Sequence, residues 1–99
     1  MARRKIIWTK KTIVEKKEIL EYWINRNKSK SFSTKLNQLI LEDLRTLSVN
    51  PEIGKKTDFE NIRVIMIRDY LLFFEIHKNE LVVLAIWDSR RNPNKMKIK

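Results

Sequence analysis

The stretch from Ile62 to Trp87 sets the tightest limit on what this chain can fold into. It holds three apolar, β-branched and aromatic segments, 62–67, 70–77 and 81–87, separated only by Arg68-Asp69 and by Lys78-Asn79-Glu80. Joints this short demand antiparallel hairpins, because a parallel crossover takes about a dozen residues. The three segments therefore form a meander. A free-standing meander alternates apolar and polar side chains, but the last two strands here are apolar on both faces. One face must lie beneath other elements, and the opposite face must be at least partly covered or used.

The covering elements come from upstream. Lys5-Ile6-Ile7-Trp8-Thr9 suits a short first strand, placed to shield an edge of the sheet or to pair with its last strand. Thr9 or Thr12 then caps a helix running to about Arg26, and Thr12 and Glu15 have capping-box spacing. Ile13, Leu20, Trp23 and Ile24 are its expected inner positions, broadened by Val14, Ile19 and Tyr22, with Glu15, Lys16, Lys17, Glu18 and Glu21 on the wet side. The polar stretch 25–31 is a hinge. Beyond it Phe32, Leu36, Leu39, Ile40, Leu44 and Leu47 recur at three- or four-residue spacing, the pattern of a second, cleaner helix. Pro51 and Gly54 mark 48–61 as a connection that includes a short extended piece. The expected fold class is α+β: a short strand, an antiparallel helical hairpin, and a three-stranded antiparallel meander forming a sheet with the first strand, all in a single domain over 1–99.

Charge and composition narrow the function. The 99 residues carry 22 Lys and Arg against 12 Asp and Glu, a formal charge of +10, concentrated at the two ends. Such a field attracts phosphates or an acidic partner protein, and it also serves simply to keep a small protein in solution. With no Cys and one His, structural zinc is excluded. A single Gly leaves no room for a Walker loop or a dinucleotide fingerprint, so neither a metal nor a cofactor is expected. No apolar stretch approaches the roughly 18 residues of a membrane span, and no signal-peptide segment follows the basic start. A cytoplasmic protein without a membrane partner is expected.

Several residues stand out as candidates. Arg63 interrupts an apolar strand on the face opposite Ile62, Val64 and Met66; a buried Arg needs a carboxylate or an accessible concavity, while an edge Arg snorkels to water. Arg90 and Arg91 leave the last strand beside Trp87, where planar donors suit a grip on phosphate. Lys55 and Lys56 precede the Arg63 strand and supply positive charge. Asp88 is placed to orient Arg90 or cap a turn, and His77 ends a strand in an ordinary hairpin position. Tyr70 and Trp87 are core aromatics by default and stacking groups in principle.

The order strand, helical hairpin, meander and basic end resembles the RelE/ParE superfamily of toxins from bacterial type II toxin–antitoxin modules. The resemblance rests on Ile7-Trp8-Thr9 leading into the first helix, Leu44-Arg-Thr-Leu47 with Asn50-Pro51 and Gly54, Ile62-Arg63 opening a strand, Tyr70-Leu-Leu-Phe-Phe-Glu-Ile76, and the run from Trp87 to Lys95. It implies a cognate antitoxin as partner and one of two targets. The leading expectation is a ribosome-dependent endoribonuclease acting on mRNA, in which a ribose 2′-hydroxyl attacks the adjacent phosphate. On that reading Arg63 and Arg90 stabilise the phosphate, Lys55 or Lys56 binds it or assists proton transfer, and Arg91, Lys95 and Lys97 hold nucleic acid. It requires Arg63 and the cluster after Trp87 to share one cationic recess. The alternatives are a gyrase-directed toxin without RNA cleavage and a non-catalytic nucleic-acid-binding protein. The chain departs from the ribonuclease pattern in having neither His nor Tyr after His77.

Overall fold

The computed structural model describes residues 3–91. Its elements run β1 (Lys5–Trp8), α1 (Lys10–Asn27), α2 (Ser31–Val49), a 3₁₀ turn (Pro51–Ile53), β2 (Lys55–Lys56), β3 (Ile62–Ile67), β4 (Tyr70–Ile76) and β5 (Glu80–Asp88). The strands form one five-stranded sheet in the order β1-β5-β4-β3-β2. The meander is as expected, with β3–β4 and β4–β5 antiparallel. β1 pairs with the last strand, in parallel, from Lys5 opposite Glu80 to Trp8 opposite Val83. The short extended piece in the connection is β2, which pairs Lys55 with Val64 and Lys56 with Arg63.

The helical hairpin covers one face of the sheet. Leu36, Ile40, Leu44 and Leu47 of α2 are buried against Tyr70, Leu72 and Phe74 of β4 and Leu81, Val83 and Ile86 of β5. The opposite face carries a smaller cluster of Ile62, Phe73 and Ala85, flanked by Val64, Leu71, Leu84 and Trp87. Two apolar faces in the last strands thus serve two clusters of unequal size.

The expected stripe of α2 is the one buried, with Leu39 and Phe32 packed against the core from its margin. The expected stripe of α1 is rotated. Thr9 is the N-cap and accepts the Thr12 backbone N–H at 3.1 Å. Ile13, Val14 and Tyr22 are exposed, while Thr12 is buried and Glu15 and Lys16 are half-buried. Ile19, Leu20 and Trp23 do face the core. Polar side chains of α1 take inner positions because backbone groups of the sheet need them there.

Candidate functional site

Those backbone groups belong to an irregularity in β5. The register passes from Phe74 opposite Val83 to Phe73 opposite Ala85, leaving Leu84 as an extra residue. A bulge of this kind bends the strand and turns side chains to new faces. Val83 accordingly joins the helix-side core while Ala85 joins the opposite cluster. Thr12 Oγ1 donates to the Val83 carbonyl at 3.3 Å, and Glu15 Oε1 accepts the Ile86 N–H at 3.1 Å. Two side chains one helical turn apart thereby hold α1 across the bulge.

Beyond it β5 ends in a corner bonded to itself. Asp88 stands opposite Tyr70. Arg90 donates to the Asp88 carboxylate through Nε at 3.0 Å and Nη2 at 2.9 Å, and its backbone N–H donates at 2.9 Å. Those hydrogen bonds hold the Asp88 carboxyl below the usual carboxylate range and strengthen the proton affinity of Arg90. The Arg91 guanidinium lies 4.7 Å from the centre of the Trp87 ring. A groove of ≈ 430 Å³ runs along this corner, lined among others by Glu18, Tyr22, Tyr70, Trp87, Arg90 and Arg91. At its floor the Tyr70 hydroxyl accepts from Trp23 Nε1 at 2.8 Å, and burial pushes the Tyr70 phenol up. The corner presents cationic and aromatic surface with acidic residues of α1 along one wall.

The other candidates lie elsewhere. Arg63 stands opposite Phe74, on the helix side as its parity requires. Its Nη1 donates to the Gly54 carbonyl at 2.6 Å and to the Glu52 carbonyl at 3.3 Å. It clamps the end of the 3₁₀ turn onto β3. Lys56 is its register partner, and both line a cavity of ≈ 470 Å³ with Phe59, Ile62 and Ile76. Lys55 lines a separate groove. His77 is exposed, with Nε2 3.2 Å from Glu75 Oε1. Lys95 and Lys97 lie outside the described residues.

The required single recess is not formed. Tyr70 and Phe74, the partners of Asp88 and Arg63, are four residues apart on β4, which is roughly 13 Å along the strand. Arg63 and Asp88 also sit on strands either side of β4, about 10 Å apart across the sheet. None of the cavities described brings the two regions together: Arg90 and Arg91 share one, Arg63 and Lys56 another. Glu15 and Glu18, expected in solvent, and Tyr22, expected in the inner stripe, together form the groove wall. Their i, i+3, i+7 spacing was the available signal.

The chain and its fold have matches among known proteins. The model of the ParE toxin of type II toxin–antitoxin systems (parDE) matches residues 6–93. The chain therefore belongs to the ParE toxin family. A chain in the solved structure of the chromosomal ParDE TA system from P. aeruginosa superposes with a TM-score of 0.73 at 17% identity, covering 87% of this chain and 96% of that one. No curated protein matches in sequence. Membership of the ParE branch overturns the ribosome-dependent endoribonuclease expected from the sequence, and with it the ribosome and mRNA as partners. The separation of Arg63 from Arg90 is the physical counterpart of that correction. Among the described residues, no helix is long and apolar enough to cross a membrane.

Proposed function

We propose that this chain is the toxin of a type II pair, that it acts in the cytoplasm by inhibiting DNA gyrase without cutting RNA, and that a cognate antitoxin neutralises it. The observation that carries this reading is the match to ParE toxins over nearly the whole chain. The internal engagement of the guanidiniums agrees with it. Arg63 is spent on backbone carbonyls and Arg90 on Asp88, which suits building a recognition surface better than stabilising a pentavalent phosphate. The corner formed by Trp87, Arg90 and Arg91 is the surface assigned to the target.

The test is to add the purified protein to a gyrase supercoiling reaction and, separately, to a translation reaction whose mRNA ends are mapped. Loss of supercoiling with intact mRNA is the expected result. Codon-associated cleavage with normal supercoiling overturns it.

A further inference from the structure

The charged residues that line the groove between α1 and the end of β5 mostly cancel one another. Glu15 is engaged on both oxygens, by the Ile86 N–H at 3.1 Å and by Lys11 at 3.4 Å. Asp88 and Arg90 hold each other through two side-chain contacts, at 2.9 and 3.0 Å. Two charges are left over. Glu18 lines the same groove, is exposed, and has neither hydrogen bond nor ion pair among the described residues. Arg91 lies over the Trp87 ring and likewise meets no carboxylate among them. The α1 wall thus carries an unmatched acid and the end of β5 an unmatched base.

Much of the remaining lining is apolar or aromatic. Tyr22 stands one helical turn beyond Glu18, 49% exposed, with its ring edge-on to Trp23 at 5.2 Å. Ile19, Tyr70 and Ile86 add apolar surface. In the free protein, water solvates the Glu18 carboxylate. A partner that closes over the groove removes that water, and a carboxylate shut in without a cation is heavily penalised. The same group opposes a phosphate backbone. In a chain of formal charge +10 it reverses the sign of the local field, at the surface assigned to the target, so the groove fits a protein segment better than a polyanion.

We infer that Glu18 is a selectivity residue of the target surface: the segment of gyrase seated in this groove brings a Lys or Arg to the Glu18 carboxylate, an Asp or Glu to the Arg91 guanidinium and an apolar side chain to Tyr22. Complementary charges of this kind suppress wrong partners and fix the register of the right one. The inference rests on the gyrase reading above and adds to it the side chains that choose the segment bound.

Titrating the purified chain into the supercoiling reaction of DNA gyrase tests the idea. Glu18→Arg should raise the toxin concentration for half-inhibition at least tenfold. Glu21→Arg makes the same change of charge on the same helix, outside the groove lining, and should move it less than twofold. Glu18→Gln, which keeps hydrogen-bonding capacity but not charge, should raise it at least threefold. Thermal melts should match the parent throughout, since neither acid has an ion-pair partner to lose among the described residues. Parental inhibition by Glu18→Arg overturns the inference and leaves the gyrase reading standing. An equal loss from Glu21→Arg also overturns it, by tracing the effect to net charge. If Glu18→Arg does not fold, parental inhibition by Glu18→Gln decides against the inference. A parent that never inhibits supercoiling removes the gyrase reading and this inference with it.

Discussion

Glu15 on α1 accepts the backbone N–H of Ile86 at 3.1 Å, immediately after the bulge in β5. A helix carboxylate thus satisfies a strand donor that the bulge diverts from its ladder. Lys11 lies 3.4 Å from the other oxygen of the same carboxylate. Replacing Glu15 with Ala should cost about 1–3 kcal/mol, the penalty of an unpaired, partly buried N–H. Glu15→Gln, which keeps an acceptor, should lose less. Urea denaturation of the two variants against the parent measures the difference.

Gly54 is the only glycine in the chain. Its φ of −69° is open to any residue, so space rather than backbone conformation requires it. A Cβ there would stand 2.5 Å from Phe74 Cζ and 3.1 Å from Arg63 Cβ. Phe74 is fully buried and has nowhere to move. Gly54→Ala should therefore destabilise by about 1–3 kcal/mol through overpacking. A thermal melt unchanged from the parent would contradict this geometry.

Arg63 and Arg90 should respond differently to truncation. Arg63→Ala strips the Gly54 carbonyl of its donor and frees the 3₁₀ turn, so it should lower stability by about 1–3 kcal/mol. Arg90→Ala combined with Arg91→Ala removes exposed groups and should leave the melting temperature nearly unchanged while relieving growth arrest. Paired melts and growth curves check both expectations. Full toxicity in a soluble Arg90/Arg91 double variant would move the target surface elsewhere.

Asp43 makes stability depend on pH in a defined direction. Burial, and then the neighbouring Glu42, raise its pKa above the ordinary 3.8. A carboxyl whose folded pKa is raised binds its proton more tightly in the native state. Its contribution is fully present below the unfolded value and is lost as pH rises through the folded one. Asp43→Asn should therefore stabilise the protein at neutral pH, with the advantage vanishing under acid conditions where Asp43 is protonated. Denaturation midpoints measured across that range give the sign directly.

Much of the fold was legible because it is written in local patterns. The two-residue joint at Arg68-Asp69 dictated the hairpin, and the spacing of Leu36, Ile40, Leu44 and Leu47 dictated the inner face of α2. The parity of Arg63 relative to Ile62 and Val64 was equally readable. The inner face of α1 was not. Apolar periodicity favoured Ile13 and Val14, yet Thr12 and Glu15 turn inward to meet backbone groups exposed by a bulge at Leu84, and no feature of the sequence around Leu84 announces that bulge. The partners of Arg63 were hidden for a similar reason. Its acceptors are main-chain carbonyls of Glu52 and Gly54, positioned by a turn rather than identified by a side chain.

The parallel pairing of β1 with β5 has a consequence for biosynthesis. A chain emerging amino end first exposes Lys5–Trp8 before Glu80–Val83, the residues it pairs with, exist. At about 5–20 residues per second the first strand waits several seconds for its neighbour. Throughout that interval the nascent polypeptide has no completed sheet. The fold is therefore completed only once the last strand has been made, and its assembly falls at the very end of synthesis.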